Sequence, residues 1–178
     1  MSLIFSAMTE ADAHDILAWR YEGVYTAYNT PDTVTGAAGF DYLAELLDSR
    51  SPYFAVRQAG HEAAAPSAFF AYGSACEVGD DAALSLARPY LLRPDGSLSI
   101  GLGLRPDLTG QGHGLALVMA GLAFAREHYH PSLFRLYVYS WNERAIRVYR
   151  RAGFLAVDEA HGARPVSRAF IEMTRPAL

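Results

Sequence analysis

Ile100-Gly101-Leu102-Gly103-Leu104-Arg105-Pro106-Asp107-Leu108-Thr109-Gly110-Gln111-Gly112-His113-Gly114 is the stretch on which the reading of this chain turns. Leu98 to Leu104 has the composition of a short apolar strand. From Gly114 onward Leu115, Val118, Met119, Leu122 and Ala125 recur at helical spacing until Pro131 ends the pattern. Three alternating glycines therefore stand between a strand and the start of a helix. Glycine permits unusual backbone angles and close approach by a ligand, while the unpaired N–H groups and dipole of a helix start favour phosphate. The natural inference is a diphosphate cradle, with an ordinary tight turn as the alternative. Gly101 and Gly103, inside an otherwise apolar strand, point to a bulge or to close approach by a backbone-like group.

What the stretch lacks narrows the ligand. A P-loop needs Lys and then Ser or Thr after the last glycine, where Leu115 and Ala116 stand. The dinucleotide fingerprint needs Gly-x-Gly-x-x-Gly with an acidic residue about 20 positions on, and neither is met. Coenzyme A is the better candidate, because its pantetheine amides can lie beside an opened strand as a peptide does in strand addition.

Working outward, Leu133 to Tyr139 returns as a strand after the helix, so strand, crossover and strand fit a right-handed unit with parallel neighbours. Towards the N-terminus, Leu3 to Ala7 reads as a strand, and Thr9-Glu10-Ala11-Asp12 has the capping-box pattern of a helix running to Trp19. Tyr21 to Gly39 has no clear period and reads as a loop, while Phe40, Leu43, Leu46 and Leu47 predict a second helix. Tyr53 to Gln58 and Ser67 to Cys76 form a predicted antiparallel pair, and Gly79 to Pro94 carries no clear signal. Towards the C-terminus, Glu143 to Ala152 predicts a helix closed by Gly153. Strands follow at Leu155 to Glu159 and Phe170 to Met173, with Gly162 and Pro165 in the turn between them.

The chain has 178 residues, about half of them hydrophobic, and neither internal repeat nor linker, so residues 1–178 are expected to form a single α+β domain. A net charge of −4 with scattered arginines argues against nucleic acid and anionic membranes as partners. Cys76 is the only cysteine, which excludes an internal disulfide and a cysteine-based metal cluster. His128 and His130 have no third ligand in view, so no metal site is expected. The first residues lack the basic start and apolar run of a secretory signal, and no stretch approaches the roughly 20 apolar residues of a membrane helix. A cytoplasmic protein is expected.

Thr109-Gly110-Gln111-Gly112-His113-Gly114 resembles the cofactor motif of the GNAT superfamily of N-acetyltransferases, Arg/Gln-x-x-Gly-x-Gly/Ala. Thr109 replaces the Arg or Gln, which removes a side-chain contact to the diphosphate and keeps the backbone contacts. Asn142-Glu143-Arg144-Ala145-Ile146-Arg147-Val148-Tyr149-Arg150-Arg151-Ala152-Gly153-Phe154 is similar to a second family element, Asn-x-x-Ala-x-x-x-Tyr-x-x-x-Gly-Phe, with every marked position filled. The resemblance implies a mixed, mostly antiparallel twisted sheet of six to seven strands with a central, splayed parallel pair and about four helices. It also implies an acetyl-CoA-dependent transfer to a primary amine of a small molecule or peptide. The implied cofactor contacts are Leu102, Gly103, Leu104, Thr109, Gly110, Gln111, Gly112, His113, Gly114, Leu115, Ala116, Asn142 and Tyr149.

Direct transfer would hold both substrates together, a backbone N–H of Leu104 or its neighbours would stabilise the oxyanion, and Tyr149 would protonate the departing thiolate. The strand Leu98 to Leu104 contains no carboxylate. Glu77 is the leading candidate base, and a chain of waters is the alternative. Trp19, Tyr21, Tyr25 and Tyr28 form an early aromatic cluster where the family places acceptor-binding residues, suited to a cation or an apolar amine. The rival reading is a non-catalytic acyl-CoA-binding module, and another is transfer of a longer acyl group or to oxygen. The oligomeric state, monomer or homodimer, and the acceptor stay open.

Overall fold

The structure is a computed structural model and describes residues 2–30, 41–50, 52–78, 90–157 and 169–178. It opens with strand β1 (Leu3–Ala7) and helix α1 (Glu10–Leu17). The expected capping box is present: Thr9 Oγ1 accepts from the Asp12 amide, and the Asp12 carboxylate accepts from the Thr9 amide, both at 3.2 Å. α1 ends two residues before the expected Trp19, because Arg20 Nη1 donates to the carbonyls of Leu17 and Trp19 (2.8 and 2.9 Å) and closes the last turn. Within the predicted loop, Gly23–Tyr28 forms a 3-10 turn, and helix α2 (Tyr42–Leu46) follows with Asp41 as its N-cap. Phe40 lies outside the described residues.

Strand β2 (Tyr53–Gln58) and strand β3 (Ala68–Tyr72) pair antiparallel, as expected. β3 does not extend to Cys76. Gly73 turns at φ 85°, its amide donates to the Ser99 carbonyl at 2.8 Å, and Ser74–Cys76 becomes a 3-10 turn. Strand β4 (Ser97–Leu104), helix α3 (Gly114–Tyr129), strand β5 (Leu133–Tyr139) and helix α4 (Glu143–Arg151) fall where the sequence places them. Strand β6 (Leu155–Ala156) covers the first part of its expected range, whose end lies outside the described residues, as do Gly162, Pro165 and most of Gly79 to Pro94. Strand β7 (Phe170–Pro176) outruns its expected end at Met173, because its pairing with β5 continues to Leu133↔Pro176.

Among the described residues seven strands form one sheet in the order β1-β2-β3-β4-β5-β7-β6, with β4 and β5 parallel and the other neighbours antiparallel. Four α-helices are seen among the described residues. The core lies where α3 meets the sheet. Leu117, Val118, Leu122 and Ala125 are buried in the same cluster as Phe70, Tyr72, Leu98 and Phe134. Burying each large apolar side chain of this set is worth about 1.5–3 kcal/mol. Met119, counted in the expected apolar stripe, is 39% exposed and lies off it. Tyr72 Oη donates to the Gly121 carbonyl at 2.9 Å, and a Cβ on Gly121 would stand 2.1 Å from the Phe70 ring. That glycine lets α3 descend onto the sheet.

Candidate active site

β4 and β5 pair at only three positions, Ser97↔Leu133, Leu98↔Phe134 and Ser99↔Arg135. Beyond Ser99 they part, although β4 continues on β3 to Leu104↔Ala68 and β5 continues on β7 to Tyr139↔Phe170. Each strand therefore turns an edge without a strand partner into the gap, and such backbone groups need a partner. A cavity of about 830 Å³ occupies the fork. At one end it reaches the glycine loop and at the other an aromatic wall.

Glu77 sits at the root of this fork. Its carboxylate accepts from Ser99 Oγ (2.7 Å), Tyr90 Oη (2.9 Å) and Tyr137 Oη (3.1 Å), and Arg93 Nη1 lies 3.0 Å from it. The side chain is fully buried and does not line the cavity. Both oxygens of the expected candidate base are thus engaged by the protein's own donors.

In the glycine loop, Gly110 and Gly112 adopt φ of 77° and 86°, where a side chain is strained, and a Cβ on either would meet nothing within 4 Å. The amides from Gly110 to Ala116 donate to no backbone carbonyl among the described residues. A run of aimed N–H groups at a helix start is a fitting cradle for a diphosphate. Gly114 serves packing instead, since its Cβ would lie 3.3 Å from Val148 and its absence permits α3 and α4 to approach. Thr109 lines the cavity, but its hydroxyl donates to the Pro106 carbonyl at 2.8 Å and braces the loop. Gln111 is exposed and bonds the Asp107 carbonyl, while His113 and Ala116 line a separate cavity of about 290 Å³. Leu102, Gly103, Leu104, Gly110, Gly112, Gly114 and Leu115 all line the large cavity.

No bulge is found in β4, whose pairs with β3 run unbroken from Ile100 to Leu104. Gly101 and Gly103 point their missing side chains to one face, as residues two apart do. A Cβ on Gly103 would stand 2.3 Å from the Phe69 ring, and one on Gly101 would stand 3.3 Å from Cys76 Sγ. These glycines make room for the protein's own side chains.

The aromatic wall gathers the early cluster with residues that sequence spacing did not mark. Trp19, Tyr21, Tyr25 and Tyr28 all line the cavity, with Tyr42, Tyr53 and Phe69. Tyr21 Oη donates to the Leu104 carbonyl at 2.9 Å, which pins the wall to the open edge of β4. Burial pushes the Tyr21 phenol up to about 12, with Arg144 working against it. Asn142 caps α4 through the Ala145 amide (3.1 Å) and donates to Tyr28 Oη (2.8 Å), joining the wall to α4. Tyr149 lines the cavity from α4, and its hydroxyl has no hydrogen-bond partner among the described residues. Burial holds that phenol above its ordinary range, so it stays protonated.

Two charged residues of this chamber were missed by the sequence reading. Glu45 on α2 accepts from Tyr53 Oη at 2.7 Å; burial raises its pKa, against the pull of that hydrogen bond. Its only sequence signal is a carboxylate set between Leu43 and Leu46. Arg144 lies with its guanidinium carbon 4.2 Å from the centre of the Tyr25 ring. It shares an i, i+3, i+7 stripe with Arg147 and Arg151, which was legible in α4. Among the described residues no three His, Cys, Asp or Glu side chains gather as a metal site, and no helix is long and apolar enough to cross a membrane.

Comparison with known proteins matches residues 2–155 to the acetyltransferase (GNAT) domain. A mycothiol acetyltransferase of Propionibacterium freudenreichii subsp. shermanii is 40% identical over 77 residues, which are 43% of this chain and 24% of that protein. The match thus spans about a quarter of that relative. Among solved structures, aminoglycoside acetyltransferase AAC(6')-Ib with coenzyme A aligns with a TM-score of 0.68 at 19% identity, over 98% of this chain and 95% of that one. A chimera of Vibrio cholerae spermidine N-acetyltransferase SpeG and hSSAT gives 0.65 at 15% identity (99% and 96% covered). Campylobacter jejuni N-acetyltransferase PseH with acetyl coenzyme A gives 0.61 at 17% identity (98% and 99% covered). At these identities the structures share the fold.

Proposed function

Because the chain belongs to the acetyltransferase (GNAT) family, we propose that it transfers the acetyl group of acetyl-CoA to a primary amine of a small molecule or peptide within the fork between β4 and β5. The observation that carries this reading is one continuous cavity that touches the glycine loop, the open strand edges, Tyr149 and the aromatic wall. Amine acceptors appear in the names of the structural relatives, spermidine and aminoglycosides among them.

The residues present fit acetyl-CoA, since the loop offers unpaired amides and β4 offers an open edge of the kind pantetheine amides can join. When bound, the cofactor supplies an activated acetyl carbon, which the neutral amine attacks as CoA leaves as the thiol. The amides of Gly110 to Ala116 hold the diphosphate by their partial positive charge. The open edge of β4 around Leu102 to Leu104 orients the acetyl oxygen towards a fixed N–H, which stabilises negative charge without reorganisation. Tyr149, held protonated by burial, donates its proton at the sulfur and recovers one from the acceptor nitrogen through solvent. Trp19, Tyr21, Tyr25 and Tyr28 position the acceptor, and water carries the proton that the amine must lose. Residues 1–178 act as one domain, in the cytoplasm, as a monomer or homodimer.

The test is release of free thiol from acetyl-CoA across a panel of primary amines, with cofactor binding measured separately by calorimetry. Amine-dependent release is the expected result. Binding without release by any amine would leave a cofactor-binding module, and no binding would overturn the reading.

A further inference from the structure

The acceptor chamber holds charges of both signs that have no ion-pair partner among the described residues. Glu45 is largely buried, its one side-chain partner is the neutral Tyr53 hydroxyl, and no cation pairs with it among the described residues. Arg144 stacks on Tyr25 beside Tyr21 and Tyr28, and no carboxylate pairs with it among the described residues. Farther along α4, Arg147 pairs only with exposed Glu143 at 3.4 Å, and Arg151 also lines the cavity. The charged side chains lining the cavity among the described residues are thus one carboxylate and three guanidinium groups. Of these, Glu45 and Arg144 are the two whose partners, Tyr53 and Tyr25, belong to the aromatic wall, so a polycation there would find one counter-charge and one repulsion. A partly desolvated charge is costly until it meets its opposite, so a ligand of one sign satisfies one group and leaves the other.

We propose that the acceptor is amphoteric, a primary amine and an anionic group on one apolar body as in amino acids and short peptides, with Glu45 seating the ammonium and Arg144 the anion. The proposal rests on the acetyltransferase reading above and specifies its acceptor. The rings of Trp19, Tyr25 and Tyr53 pack the apolar part, and Arg144, planar and stacked, presents two parallel N–H groups to a carboxylate. Once seated, the ammonium must shed its proton to water before attack, and Glu45, the carboxylate that lines the chamber among the described residues, holds the amine while it does so.

Matched peptides test this: phenylalanine, Phe-Gly and Phe-Gly-Gly, each as the free acid and as the C-terminal amide, with spermidine alongside. Their lengths sample three separations of ammonium and carboxylate. The readouts are kcat/KM for thiol release and, separately, acetyl-CoA binding by calorimetry. At least one free acid is expected to exceed its amide by about tenfold, the size of one charge-assisted pair, and to exceed spermidine. R144Q is expected to bring the acid-to-amide ratio to about one, a ratio in which any common effect on cofactor affinity or folding cancels. E45Q is expected to weaken acid and amide alike, by about tenfold or more in KM. Amides or spermidine equal to the acids, or a ratio that survives R144Q, would overturn the proposal. Acetyl-CoA binding with release by amines but by none of the peptide acids would overturn it while leaving the acetyltransferase reading intact. No binding of acetyl-CoA would remove both.

Discussion

Ser99 on β4 and Tyr137 on β5 donate to opposite oxygens of the Glu77 carboxylate, at 2.7 and 3.1 Å. Ser99 is the last residue of β4 that pairs with β5, and Tyr137 stands two residues beyond its last paired position. Parallel strands gain a hydrogen bond at every step they continue, so a fork needs something to hold it. The buried carboxylate, with Arg93 as counter-charge, ties the strands through side chains at the point where backbone pairing stops. This relation explains why an acidic residue outside the cavity bears on what the cavity can bind.

Replacing Glu77 by alanine removes the buried carboxylate that Arg93 and the Ser99, Tyr90 and Tyr137 hydroxyls share. The expected loss of stability is about 3–5 kcal/mol, read from urea unfolding, and acetyl-CoA affinity should fall with it. Native stability together with a vanished acidic limb in the pH–rate profile would make Glu77 the base.

Tyr149→Phe removes a hydroxyl with no hydrogen-bond partner among the described residues, so unfolding should change by less than about 0.5 kcal/mol. The rate of the chemical step should nevertheless drop by about a hundredfold. Single-turnover kinetics at saturating acetyl-CoA separate that loss from binding.

Two glycine-to-alanine changes should fail for different reasons. At Gly112 the obstacle is φ of 86°, since nothing lies within 4 Å of the added methyl. The strain is about 1–2 kcal/mol, and the displaced amides should raise the dissociation constant for CoA. At Gly121 the added methyl meets the Phe70 ring at 2.1 Å. Overpacking of about 1–3 kcal/mol outweighs the gain in helix propensity, and thermal unfolding should shift while the loop amides stay in place.

Asp12 supplies a pH dependence. Burial disfavours its charge, but hydrogen bonds from Thr9 and Arg57 outweigh burial and hold the carboxyl below its ordinary value. A carboxyl lowered in the folded state adds stability above its unfolded pKa and loses it as pH falls through the folded one. The difference in unfolding free energy between the native protein and Asp12→Asn should therefore be largest near neutrality and shrink on acidification below about pH 4.

Much of the fold was legible because its signals are local. The capping box at Thr9, the glycine entry to α3, the stop at Pro131 and Gly153 past α4 each depend on neighbours within a turn. The ends that shifted were set from afar: β3 stops at Gly73 because the Ser74 amide turns to the Tyr90 carbonyl, and β7 lengthens because β5 offers it partners. In the site, the loop and Tyr149 were readable from two motifs. Glu45 and Arg144 were not, since a carboxylate among leucines and an arginine on an exposed-looking helix face have common explanations that only placement removes.

By itself the sequence determined the succession of elements, the parallel crossover, the glycine loop and the family pattern around Asn142 and Tyr149. Backbone angles, caps and periodicity act over a few residues, so they are written in a few residues. Tertiary structure alone decided which face Gly101 and Gly103 serve, that Glu77 ties the fork, and that Glu45 on α2 and Arg144 on α4 look into one cavity. Those outcomes depend on burial and on contacts between residues tens of positions apart, and a charge acquires its role only when the fold decides what lies across from it.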